Sequence, residues 1–164
     1  MIQTLPRVAH EHHEVLIRHV DQMPGVGDAL LEADGAEVKR HAVEMTTFLT
    51  TTLIPHVDAA ERALYPELER MLQNRHSMAP MRREHAEVRR LTAEFARLAG
   101  QIEGPRVAIG TRLAIRRILF QLYALLKIHL AEEEAYLHIV EHGLSDDVAE
   151  VLAAGLDHPG FEKG

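Results

Sequence analysis

The stretch KIHLAEEEAYLHIVEHG, residues 127–143, sets a histidine and a glutamate four residues apart inside an apolar helical stripe. Leu122, Leu126, Leu137 and Val140 recur at the spacing that gathers side chains on one face of an α-helix, and His129 and Glu133 fall in the middle of that face. An imidazole and a carboxylate among Leu and Val are costly to bury unless something pairs with them. A chain carrying this stripe must therefore fold so that other elements bring partners to it. Tyr136 lies on the same face, whereas Glu132 and Glu134 diverge from it and read as a solvated face.

Punctuation divides the rest into three further long helical segments. The first runs from about Leu5 to Met23 and is expected to stop at Pro24-Gly25. The second covers roughly residues 36–73 and should bend or break near Pro55 or Pro66, since proline removes an internal hydrogen bond. Ser77 is placed to cap the third, which has Pro80 in its first turn and ends before Gly104-Pro105. The fourth runs from about Arg106 to His142. Ser145-Asp146-Asp147 then caps a short helix to about Ala154, leaving a frayed tail over 158–164. Long helices joined by short loops read as an all-α, antiparallel up-down-up-down four-helix bundle over residues 1–157.

Each of the other helices can also turn histidines inward. Leu49, Leu53 and Leu64 define the face of the second, with His56 on it; Ala60 stands four residues on and Glu61 five. Met81, Val88, Leu91 and Phe95 define the face of the third, with Glu84 near its centre and His85 at its flank. On the first helix, phase favours His12 and His19 slightly over His13. Imidazoles fill terminal coordination positions, carboxylates bridge and neutralise two cations, and facing helices hold such ligands rigid. Tyr65-Pro66 reads as packing and helix bending.

Composition narrows the field. Twelve histidines and no cysteine admit an imidazole–carboxylate metal site and exclude a thiolate one. A formal charge of -7 argues against nucleic acid as the main partner. No apolar run approaches the roughly 18 residues a membrane span requires, and the N-terminus lacks the apolar core of a signal peptide, so a cytoplasmic protein is expected.

The order of a single His, a His followed by a carboxylate, a single His, then HxxxE resembles the hemerythrin-like (HHE cation-binding) family. The blocks that carry it are AHEHHEVLIRHVDQM, LIPHVDAAERALYPELERML, MRREHAEVRRL and KIHLAEEEAYL. The resemblance implies a bundle around two non-haem iron ions with an oxo-type bridge. It implies His13, His56, Glu61, His85, His129 and Glu133 as ligands, His13 being chosen over His12 by the family's spacing to Leu16. Two features depart from the family pattern. Ala60 takes the place of the usual carboxylate four residues after the second-helix histidine, with Glu61 one position late. Arg89 stands where oxygen carriers have a second histidine on the third helix, and Tyr123, Tyr136 and Glu84 are the nearest substitutes. The family's uses are O2 binding, oxygen or iron sensing, NO handling and peroxide decomposition. The missing histidine shifts the expectation from oxygen storage toward reaction with O2 or hydrogen peroxide, in a catalase-like manner. An oxygen- or NO-binding sensor is the alternative.

Overall fold

The structure, a computed structural model, describes residues 5–102 and 106–142, and side chains within 12–102 and 106–139. The expected short helix after Ser145 and the tail over 158–164 lie outside the described residues. All described elements are helical. They are α1 (Leu5–Glu32), α2 (Gly35–Phe48), α3 (Ile54–Ala59), α4 (Tyr65–Met71), α5 (Ala79–Gly100) and α6 (Ile109–His142), and together they form a helical bundle. Among the described residues no helix is long and apolar enough to cross a membrane.

Contrary to expectation, α1 does not stop at Pro24 but continues for two more turns to Glu32. A proline inside a helix costs about 3 kcal/mol. Burying a side chain the size of Leu or Met returns roughly 1.5–3 kcal/mol, and Met23 and Leu30, either side of Pro24, are both fully buried. Packing therefore overrides the break. Gly27 helps by letting the helices close up: a Cβ there would sit 3.3 Å from both Arg116 Cγ and Phe120 Cε2. The guanidinium of Arg112 then closes the helix, donating from Nη1 to the carbonyls of Leu30 and Ala33, each at 2.6 Å. Nearer the middle of the pair, Asp28 meets Arg116 at 2.8 Å and Asp21 meets Lys127 at 3.0 Å.

The second segment bends in a specific way. α2, α3 and α4 form one rod joined by two π-helical turns, Leu49–Leu53 and Ala60–Leu64, each just ahead of a proline. In these wide turns Ile54 donates to the Leu49 carbonyl and Tyr65 to that of Ala60. Pro55 and Pro66 offer no N–H, and a turn widened by one residue accommodates the ring without ending the rod. Thr46, Thr47, Thr50 and Thr51 donate their hydroxyls to carbonyls four residues back, a habit that also bends helices. The third segment starts later than Ser77: Met78 takes the cap position without a side-chain bond, and Ser77 Oγ bonds the Asn74 carbonyl instead.

The apolar core comes in two parts. A large cluster runs from Leu16 on α1 through Val57, Val88 and Phe95 to Leu126 and Leu130. A smaller one contains Ala60, Leu64, Tyr65, Leu68, Met78, Met81 and Leu137. On α5, His85 falls between Met81 of the smaller cluster and Val88 of the larger, and His56 and His129 stand near where the larger cluster gives way to the smaller along their rods. Position along α1 can be tested separately. Gly25 is exposed, and a Cβ added there would meet nothing within 4 Å, so Gly25→Ala should stabilise the protein by about 1 kcal/mol through helix propensity. Gly27→Leu should destabilise it by about 1–3 kcal/mol through overpacking, both read from urea unfolding.

Candidate metal centre

Four helical segments deliver one imidazole each to a single buried carboxylate. Glu133 of α6 is fully buried, and its Oε2 lies 3.0 Å from His13 Nε2 of α1 and 3.0 Å from His56 Nε2 of α3. His129 Nε2, one turn earlier on α6, stands 4.0 Å from the same oxygen. His85 Nε2 of α5 is 2.9 Å from His129 Nε2. Two sets of ligand atoms result, His13 with His56 and Glu133, and His85 with His129 and Glu133, each within 4.8 Å of one another. Glu133 belongs to both.

The far nitrogens of three of these rings are tethered. His13 Nδ1 meets Glu134 at 2.7 Å, His129 Nδ1 meets Glu84 at 2.8 Å, and His85 Nδ1 meets Glu61 at 3.0 Å. An ionised carboxylate only accepts hydrogen bonds, so it fixes the proton on Nδ1. The Nε2 lone pairs then face inward. At His85 and His129 two such lone pairs confront each other at 2.9 Å, and at His13 one confronts the Glu133 carboxylate. These contacts repel unless a cation, a proton or a metal ion, lies among them. Glu133 Oε1 adds a second sign of the same need: it is buried and has no hydrogen-bond partner. Inward Nε2 atoms, outward Nδ1–carboxylate bonds and a spare carboxylate oxygen make a donor set suited to metal ions.

The family comparison agrees with this geometry: the hemerythrin HHE cation-binding domain matches residues 4–138. The chain belongs to that family. No curated protein and no solved structure gives a significant match. Of the residues that the hemerythrin pattern singles out, His13, His56, His85, His129 and Glu133 converge. Glu61 joins neither set; its Oε1 lies on His85 Nδ1 and 2.9 Å from Arg89 Nη1. Of the histidines that helix phase preferred on the first helix, His12 stacks on His56 with ring centroids 5.3 Å apart, its Nε2 buried without a partner. His19 is remote, bonded to the Val15 carbonyl and stacked on Phe48.

The substitutes expected for the missing hemerythrin histidine are arranged otherwise. Glu84 tethers His129, Tyr123 packs against the large cluster and Tyr136 against the small one. The phenol at the site is Tyr65, whose Oη is 3.0 Å from His85 Nε2 and whose ring stacks on that imidazole. Helix phase could not find it. Nine residues after His56 is about 2.5 turns of α-helix, the opposite side of the rod. The π turn at Ala60–Leu64 absorbs a residue and swings Tyr65 back toward the centre. The signal in the sequence was Pro66, which marks a place where the rod can depart from a regular α-helix.

Electrostatics follow the geometry. Burial opposes the charge on Glu133, but hydrogen bonds from His13 and His56 outweigh it and hold the carboxyl well below its usual range. Burial likewise opposes charging of His13, and Glu133 and Glu134 outweigh it, raising the imidazole. Burial and the charge on Glu133 push the Tyr65 phenol far up, so it keeps its proton. His85 is lowered to about 4, by burial first and then by His129. In the metal-free protein this last shift has a defined sign. Between about pH 6.5, where the unfolded chain's histidine takes up a proton, and about pH 4, the folded state declines it. Stability should therefore fall as pH drops through that window. His85→Gln should flatten the slope of melting temperature against pH there.

Proposed function

We propose that the chain is a non-haem di-iron protein that reacts with O2 or hydrogen peroxide, disproportionating two peroxide molecules to two waters and one O2. His13 and His56 hold one ion in this reading, His85 and His129 the other, and Glu133 is shared. The observation that carries it is the single buried carboxylate common to both ligand sets, with one oxygen unpartnered. The four rods are read as an antiparallel bundle. Supporting this, Asp21, Asp28 and Leu30 of α1 meet Lys127, Arg116 and Arg112 of α6, positions that fall as the others rise.

Bound iron supplies a ferrous–ferric couple through which peroxide can be both oxidised and reduced. The chain's own residues do the rest. The two apolar clusters keep bulk water from the polar layer and so restrict escape of partly reduced oxygen. Tyr65 Oη holds a proton at the buried face of His85, within the layer where a peroxide oxygen would need one. Glu61, Glu84 and Glu134 are partly exposed, with side chains 27, 26 and 44% accessible, and connect buried Nδ1 atoms to the surface.

The test is metal content and an absorption spectrum of the purified protein, followed by peroxide addition. Two irons per chain with oxygen evolution support the proposal. Two irons without oxygen evolution move the reading to O2 or NO binding, and no metal after ferrous reconstitution ends it. His129→Ala is expected to lose bound metal and melting temperature together, since metal stabilises the folded state it binds. Tyr65→Phe should fold normally and lower peroxide turnover by about 100-fold or more, the scale of general acid–base assistance.

A further inference from the structure

Arg89 lies one turn after His85 on α5, at the position where a second imidazole on that face would stand. Its guanidinium spans two carboxylates of the facing rod. Nη1 donates to Glu61 Oε1 at 2.9 Å and Nη2 to Asp58 Oδ1 at 2.8 Å. The same Glu61 oxygen accepts from His85 Nδ1 at 3.0 Å. Asp58 and Glu61 are three residues apart and so share a side of their helix, which lets one planar fork strap both.

This arrangement has a coordination consequence. The two nitrogens of an imidazole lie on opposite edges of the ring, so a carboxylate held at Nδ1 of His85 is not at the ion that Nε2 would bind. Glu61 sits at the start of the wide turn Ala60–Leu64, and both His85 Nδ1 and Arg89 Nη1 hold its Oε1. The Arg89 charge supplies the restraint, on the solvent side, and also disfavours a cation in the place of the lost imidazole.

We propose that Arg89 is a positioning residue of the metal centre: with Asp58 it holds Glu61 on the outer nitrogen of His85 and keeps that carboxylate out of the ligand set. The inference rests on the di-metal reading above. It leaves each metal position two imidazoles, with Glu133 the one carboxylate they share. Glu61 then acts as Glu84 and Glu134 do, orienting a ring and raising its basicity.

Cobalt(II) reads this without turnover, because its visible d–d absorption reports coordination number. The purified full chain, Glu61→Gln, Arg89→Leu and the double variant would be checked for helical content by circular dichroism, then titrated with cobalt(II) under anaerobic conditions. Glu61→Gln is expected to keep two ions per chain, with one bound about 10- to 100-fold more weakly, the scale for loss of an outer partner. Arg89→Leu is expected to change the d–d spectrum toward higher coordination as Glu61 swings in, and the double variant to abolish that change. Loss of one ion outright in Glu61→Gln would make Glu61 a ligand and overturn the inference, as would an Arg89→Leu spectrum identical to the parent. Should Arg89→Leu not fold, the stoichiometry of Glu61→Gln decides alone. Absence of cobalt binding by the parent chain would overturn the di-metal reading and this inference with it.

Discussion

Glu133 is the fixed point of the molecule. A carboxylate with no exposed surface, in the last third of a long helix between Leu130 and Leu137, would cost several kcal/mol to bury as an isolated charge. Its burial is tolerable because three helical segments other than its own lean imidazoles toward it, and because those imidazoles arrive from directions that α6 alone cannot supply. The bundle's topology is thus a requirement of one side chain. A packing that slid α1 by one turn along α6 would take His13 from Glu133 and leave His56 as its one close partner.

The rings in turn depend on carboxylates behind them. Glu134, Glu84 and Glu61 each hold an Nδ1, and each lies at the edge of the layer where solvent reduces the cost of its charge. Anions at the rim and in the centre, with imidazoles between, give concentric shells of alternating character. Such a layer attracts cations inward while keeping the ligand rings from rotating. The demand for a cation is greatest at the centre: at the rim Arg89 already neutralises Glu61, whereas Glu133 Oε1 is left open.

Much of this was written at helical spacing. His129 and Glu133 at four residues apart, and His56 in line with Leu49 and Leu53, follow from the period of a regular helix, and a regular helix is what α6 and most of the other rods provide. The phase argument failed where regularity did. Pro24 looked like a stop because local propensity disfavours it, yet burial of its neighbours against α6 decides the matter, and that burial is a property of two helices rather than one. Tyr65 with Pro66 reads in the sequence as packing and helix bending; an unbroken α-helix would put it on the far side of the rod from His56, and the π turn that moves it is invisible to a fixed period. Glu61 is expected as a ligand from the family pattern, yet five residues after His56 is too far round an α-helix to share its direction. Its real partners, His85 and Arg89, are on another helix, and pairings across helices are set by three-dimensional packing that spacing along one chain does not encode.

The split core explains how such a polar layer can coexist with a stable fold. The larger apolar cluster contains most of the buried residues and reaches into the site at Val57 and Leu130. The smaller cluster, with Tyr65, Met81 and Leu137, is separate from it, and His85 on α5 stands between Met81 of the one and Val88 of the other. In the absence of metal that layer contains facing lone pairs and a charge whose needs are met only by protons, and it is the weakest seam in the stack. A cation entering there removes the repulsion between His85 and His129 and gives Glu133 its missing partner. Metal binding at such a layer would be coupled to the stability of the fold that brings the ligands together.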